Sequence, residues 1–205
     1  VLMDTRFIDE LASAAPVPGG GGASAYAGAL ASALASMVGN LTVGKKTYAG
    51  VEDEVKRHLA ELSRLRARLI ELVEEDARAF EPLAAAYRMP KGVPEEVAAK
   101  DEAIQAALVG AAEAPLSIMR TAASVLEHAD YLARNGSRLT RSDAGVAAAF
   151  VRAAVDGASL NVFVNAASMD DEALASRFRT EAEALVAETR EACDELFDFV
   201  KAEVS

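Results

Sequence analysis

The chain has no tryptophan, a single cysteine and two histidines in 205 residues. One cysteine, Cys193, excludes an intramolecular disulfide framework and suits a reducing compartment. His58, His128 and that one thiol are too few for an all-protein zinc site. Positive charge is also scarce: 21 Lys and Arg stand against 32 Asp and Glu, a net charge of −11. Such a chain has no basic surplus to meet phosphates, which excludes nucleic acid as a partner. Asp4, Arg6, Asp9 and Glu10 interrupt the start, so no secretory signal pattern is present and a cytoplasmic placement is expected. No alternating strand pattern of useful length occurs. What remains is a chain with 52% hydrophobic and 26% charged residues, enough for one folded domain over residues 1–205.

The longest absence is of charge between Leu11 and Gly44. Within that run, Pro16-Val17-Pro18 leads into Gly19, Gly20, Gly21 and Gly22. The prolines bias the chain against helix and the glycines uncover backbone N–H groups. The pattern predicts a glycine loop feeding a helix from Ala23 to about Val43, with an anion site at the helix N-terminus. Ser24, Gly28, Ser32 and Ser36 recur every four residues, one ridge of small side chains that lets another backbone approach. Leu30, Leu34, Met37, Val38 and Leu41 supply the larger bulk, and a helix apolar or small all round is expected to be buried. The run is too rich in Ala, Gly and Ser, and too interrupted, to read as a membrane span.

Helices are expected throughout. A short amphipathic start holds Phe7, Ile8 and Leu11, with Asp4 as its cap. From Glu52 to about Tyr87, Val55, Leu59, Leu62, Leu65, Leu69, Leu72, Asp76 and Phe80 step by three or four along one face. Pro82 falls inside this pattern and is expected to kink or end it. Pro94 with Glu95 and Glu96 opens a helix running past Gly110 and Pro115 to about Arg134. Asn135-Gly136 stops it. Ser142-Asp143 is expected to cap the next helix, and the last starts near Met169. The fold class is all-α, an antiparallel helical bundle with long helices around a central Ala/Ser-rich helix.

Three side chains stand out for chemistry. Asp76 interrupts an apolar stripe, where a carboxylate is costly unless bonded; it is either a general acid/base or a rim residue bonded to a lysine or a helix end. Asn161 and Asn165 share one helix face at i and i+4, one turn after Gly157. They suit either the amide edges of a heterocycle or a pair of interhelical hydrogen bonds. Asp143 has the ordinary reading of a first-turn acid.

In order along the chain, Pro18-Gly19-Gly20-Gly21, Gly44-Lys45-Lys46 with Tyr48, Asp76-Ala77-Arg78-Ala79-Phe80, Met89-Pro90-Lys91, Ser142-Asp143-Ala144-Gly145-Val146-Ala147-Ala148 and Asn161-Val162-Phe163-Val164-Asn165 resemble the formimidoyltetrahydrofolate cyclodeaminase / methenyltetrahydrofolate cyclohydrolase family. The resemblance covers nearly the whole chain. It departs at Gly22, where members often carry Ser. It implies a folate one-carbon enzyme and a helical homodimer, with folate in a cleft near the interface. Asp76 matches the acidic residue taken as catalytic; Gly19–Gly22, Lys45, Lys46, Asp143, Asn161 and Asn165 carry over as cleft residues. Neither family reaction needs a metal or other cofactor. The absence of a formiminotransferase domain from these residues favours hydrolysis of 5,10-methenyltetrahydrofolate to 10-formyltetrahydrofolate. The alternatives are cyclodeamination of formimidoyltetrahydrofolate with loss of ammonia, and a non-enzymatic helical dimer. A polyglutamylated folate would have to be met by local cations, and Lys45, Lys46 and the glycine N–H groups are the expected ones. An enzyme requires Asp76, the glycines and Asn161/Asn165 to converge on one cleft.

Overall fold

The computed structural model describes residues 5–205; Asp4, the expected first cap, lies outside them. Among the described residues there are six α-helices and no strand: α1 (Arg6–Leu11), α2 (Gly20–Asn40), α3 (Glu52–Tyr87), α4 (Pro94–Asn135), α5 (Arg141–Ala166) and α6 (Glu172–Val204). Short 3₁₀ turns, Lys46–Val51 and Arg138–Thr140, precede α3 and α5. α2 packs against α3, α4 and α5, and α6 closes the far side on α5 and α4. Both α3 and α5 run antiparallel to α2. At one end Gly21 faces Asp76 and Gly20 faces Asn161; at the other Gly39 faces Leu59, and Thr42 Oγ1 accepts the Ser137 N–H at 2.8 Å.

The stripe read on α3 is the core: Val55, Leu62, Leu65, Leu69 and Leu72 are all buried, each side chain contributing about 1.5–3 kcal/mol by leaving water. Pro94 occupies the first turn of α4 with Glu95 and Glu96 at its positive end. Asp171 caps α6, accepting the Leu174 N–H at 3.0 Å. Gly44, φ +78°, turns the chain after α2.

Four expectations change. First, α2 begins at Gly20, so Gly20, Gly21 and Gly22 form its first turn and only Gly19 remains as a cap. Tertiary contact overrides the low helix propensity of glycine: Gly21 and Gly22 are buried against Asp76 and Val73 of α3. Second, α3 runs through Pro82 to Tyr87. The proline forfeits one backbone hydrogen bond, but Leu83 and Ala86 beyond it are buried and hold the last turn. Third, α5 starts at Arg141, ahead of Ser142-Asp143, and no side chain caps it. Arg141 fixes that start: it is buried, donates from Nε to the Ala133 carbonyl at 2.8 Å and pairs with Glu203. Fourth, α2 is not buried all round, because Tyr26, Leu30 and Met37 are exposed, as is Leu41 just past its end.

The small ridge of α2 is consumed inside the chain. Ser32 Oγ donates to the Leu62 carbonyl at 2.7 Å, Ser24 and Ser36 donate back to their own helix, and Arg66 Nη1 reaches Ser36 Oγ at 3.1 Å. A Cβ on Gly28 would lie 3.0 Å from Leu69 Cδ2 and 3.2 Å from the Ala122 methyl. The helices therefore touch at van der Waals distance where the ridge is smallest. Gly28→Leu is expected to lower stability by about 1–3 kcal/mol through overpacking, read as a reduced urea midpoint. An unchanged midpoint would show that α2 is not confined there.

Candidate active site

Asp76 lies two-thirds along α3, where the helix passes the N-terminal turn of α2. A Cβ on Gly21 would sit 2.3 Å from Asp76 Oδ1, so the carboxylate occupies the space that a side chain would take. The backbone N–H of Gly22 donates to it. The anion-binding end of α2 is thus filled by the protein's own carboxylate. Burial pushes the Asp76 carboxyl above its ordinary pKa, and the Gly22 hydrogen bond opposes that only in part.

Asn161 and Asn165 arrive from α5 on the opposite wall. Asn165 Nδ2 donates to the Ala111 carbonyl of α4 at 2.7 Å, and Asn161 Nδ2 to the Gly157 carbonyl at 3.2 Å. Each amide thus spends one of its two N–H donors and keeps the other, together with Oδ1 as an acceptor. A Cβ on Gly20 would come 3.4 Å from Asn161 Nδ2. Asp76, Gly19, Gly20, Gly21, Asn161 and Asn165 line one cleft at the end of the bundle, with Pro16 and Val17 strapped over it and Phe80 and Ala111 as its floor. The enclosed space is about 120 Å³. Gly22 faces Pro18 and Val73 at ordinary contact distance, leaving room for a small side chain there.

The other carried-over residues are elsewhere in the chain. Lys45 and Lys46 follow the far end of α2, a 21-residue helix that spans about 30 Å. Lys45 Nζ donates to Ser137 Oγ at 3.1 Å. Asp143 lies in the first turn of α5, at the same far end. Motif order along the sequence does not reveal this separation, because α2 and α5 run in opposite directions. Sequence reading also missed Pro16, Val17 and Ala111 as lining residues. Phe80 could have been found, one turn after Asp76 on the same stripe. Ala111 carries no signal, since it acts through its backbone carbonyl.

A second, larger groove, about 550 Å³, lies on the other side of the Val17–Pro18 strap, between α1 and the α2–α3 pair. The histidines are remote from both: His58 Nδ1 and His128 Nδ1 are hydrogen-bonded to each other at 2.8 Å. Among the described residues, no group of three or more His, Cys, Asp or Glu side chains is placed to hold a metal ion.

A family model described as formiminotransferase-cyclodeaminase matches residues 4–184. The chain belongs to that family. Within it, the chain is 42% identical to a methenyltetrahydrofolate cyclohydrolase of Methylorubrum extorquens, over 97% of this chain and 96% of that one. It is 34% identical to the formimidoyltransferase-cyclodeaminase of Sus scrofa, over 90% of this chain but only 34% of the longer protein. The crystal structure of formiminotetrahydrofolate cyclodeaminase from Thermotoga maritima superposes with a TM-score of 0.80 at 30% identity, over 98% of this chain and 95% of that one. The all-helical fold of the family, with its short connections and long helices, is therefore the fold described above.

The direction of the Asp76 shift fixes a pH dependence. A carboxyl whose folded pKa is raised favours the native state below its unfolded pKa and loses that contribution as pH rises through the folded value. Asp76→Asn is therefore expected to melt higher than the parent at pH 7, with the advantage shrinking as pH falls through the raised value toward the ordinary carboxylate range and constant below it. A difference that is flat with pH would show that burial does not perturb Asp76.

Proposed function

We propose that the chain is a methenyltetrahydrofolate cyclohydrolase, hydrolysing 5,10-methenyltetrahydrofolate to 10-formyltetrahydrofolate. The observation that carries this reading is the convergence of Asp76, the first turn of α2 and the Asn161/Asn165 pair on one cleft, in a chain similar along almost its whole length to a protein of that name. A non-enzymatic helical dimer gives no reason for a desolvated carboxylate to face such a cleft.

The chemistry needs one proton carrier. Water attacks the bridging carbon of the amidinium cation and loses a proton to the Asp76 carboxylate. The resulting carbinol breaks its bond to N5, which takes the proton back from Asp76. The hydroxyl proton is released and the carbon remains on N10 as the formyl group. A carboxyl with a raised pKa is poised both to accept and to return that proton. Before attack, the carboxylate also stabilises the positive bridge across a cleft partly shielded from water. The Oδ1 atoms of Asn161 and Asn165 are the acceptors available to orient the water. The reading involves no cofactor beyond the folate itself, and the buried Cys193 is in keeping with a cytoplasmic enzyme.

A second reading is supported by the likeness to the Thermotoga maritima cyclodeaminase: N10 attacks the formimino carbon, ammonia leaves, and the same carboxylate moves the proton. Offering both folates and following methenyl absorbance separates them, since its loss reports hydrolysis and its appearance with ammonia reports cyclodeamination. Under either reading Asp76→Asn should cut kcat on the order of 10²-fold or more with the fold intact, and an unaltered kcat would remove Asp76 as the proton carrier.

A homodimer would complete the site. α2 and α5 pack side by side, and each has exposed apolar residues: Tyr26, Leu30 and Met37 on α2, with Leu41 just past its end, and Val146, Leu160 and Val164 on α5. Leu160 is 68% and Val164 62% exposed, and these stripes carry no charge. Pairing two such faces about a two-fold axis would bring Lys45 and Lys46 of the partner subunit toward the Asp76 end, where a polyglutamate tail would meet them. Light scattering is expected to give twice the monomer mass. Lys45→Ala/Lys46→Ala should raise KM for the polyglutamylated folate more than for the monoglutamate, and salt should narrow the gap. A monomer, or an equal loss for both folates at all salt concentrations, would remove this part of the reading.

A further inference from the structure

We infer that Gln105 of α4 is a positioning residue for the proposed reaction, clamping the turn after α5 so that Asn165 stays at the cleft. This role rests on the folate reading and deepens it. Gln105 is not among the residues that line the cleft, and it acts through one that is.

Asn165 sits at a poor place for a side chain that must hold one position. It is the next-to-last residue of α5, which ends at Ala166. The last carbonyls of a helix lack intrahelical partners, and helix ends are among the first parts to open. Asn161, one turn earlier, bonds to a carbonyl of its own helix at Gly157. The Asn165 amide reaches instead to the Ala111 carbonyl of α4 at 2.7 Å, and it keeps that bond only while the backbone beneath it stays in place. That backbone is tied to the turn. The Asn165 carbonyl accepts the Ser168 N–H at 3.0 Å, and the Phe163 carbonyl accepts that of Ala167 at 2.9 Å.

Gln105 holds the turn to α4. Its Oε1 accepts the Asp170 N–H at 2.9 Å and its Nε2 donates to the Ser168 carbonyl at 3.0 Å, ordinary lengths for such bonds. The turn's other hydrogen bonds lead elsewhere. Ser168 Oγ donates to the Val164 carbonyl and the Met169 N–H to the Ala166 carbonyl, both in α5, while Asp171 caps α6. Among the described residues, the two bonds from Gln105 are the hydrogen bonds that join the turn itself to α4. α4 therefore fixes Asn165 twice, at its amide through Ala111 and at its backbone through Gln105.

The residue type fits this task. Gln105 is the one glutamine in the sequence, shortly after Lys100, Asp101 and Glu102 on the same helix. The turn presents one donor and one acceptor. A carboxylate only accepts and an ammonium only donates, whereas an amide does both. Both bonds are exposed to water, where a hydrogen bond adds little to global stability. What they supply is local order at the end of α5.

The test places Gln105→Met and Gln105→Glu each alone and each combined with Asn165→Ala, and follows methenyl absorbance with whichever of the two folates the parent turns over. Methionine keeps the side-chain length and the helix propensity and removes both hydrogen bonds. Gln105→Met is expected to lower kcat about tenfold, less than the 10²-fold that a misplacement of about 1 Å can cost. KM should stay within about twofold, as for an interaction that matters only in the transition state. The urea midpoint should stay at the parent value. In the Asn165→Ala background the same substitution should change kcat by less than about twofold, because two residues that act as a unit are not additive. Gln105→Glu keeps the acceptor for Asp170 and loses the donor to Ser168; it should act in the same direction, and it supplies a second cycle if Gln105→Met fails to fold. An equal loss in both backgrounds, a loss matched by a lower urea midpoint, an Asn165→Ala variant with the parental kcat, or no loss at all would overturn the inference and leave the function standing. A parent that turns over neither folate would overturn the function, and the inference with it.

Discussion

Everything around the cleft depends on one contact, the Asp76 carboxylate against the first turn of α2. Two opposing effects act there. Removal from water penalises the charge, and the Gly22 N–H at the positive end of a long helix favours it. Burial prevails, so the carboxyl holds its proton more tightly than an exposed one would. The contact exists only because Gly21 has no side chain; a Cβ there would lie 2.3 Å from Asp76 Oδ1, far inside van der Waals contact. The glycines thus serve as space more than as flexibility, which is why they are found inside a helix and not in a loop.

The same economy of side chains sets the packing. α2 runs against three other helices because Ser, Ala and Gly keep its inward faces thin. Each buried hydroxyl on it finds a carbonyl, its own helix's or that of Leu62. The arginines of the outer helices are largely committed to carboxylates, as with Arg68 and Glu75, Arg120 and Glu181, or Arg152 and Asp194. Lys45, by contrast, reaches only a hydroxyl. In a chain of net charge −11, cations spared from such pairing are the ones left for an anionic ligand.

Most of the helical layout was legible in the sequence. The leucine stripe of α3, the Pro94 start and the Asn135-Gly136 stop each have a local cause, and Asp76 was visible because it breaks that stripe. What escaped was tertiary. The start of α2 was misplaced because glycine reads as loop unless the surface it packs on is known. The start of α5 was set by Arg141 reaching Ala133 and Glu203, contacts that no local window contains. The ridge of Ser24, Gly28, Ser32 and Ser36 announced the close approach of another backbone, but not that the neighbours would be α3 at Leu62 and Leu69 and α4 at Ala122. Lys45, Lys46 and Asp143 shared a motif order with Asp76 yet not a location, since order is blind to direction.

Because α2 carries the acid-facing turn at one end and leads to the lysines at the other, its residue count sets both their separation and their relative rotation. One residue inserted or deleted within it would shift one end by about 1.5 Å and turn it by about 100°. The Gly21 gap would then face away from Asp76, or the far end away from Ser137. Substitution can reshape the exposed side of this helix, but a change in its length would undo the packing at one end or the other. The connection from Arg88 to Val93, which fixes no such pair of ends, has no comparable constraint.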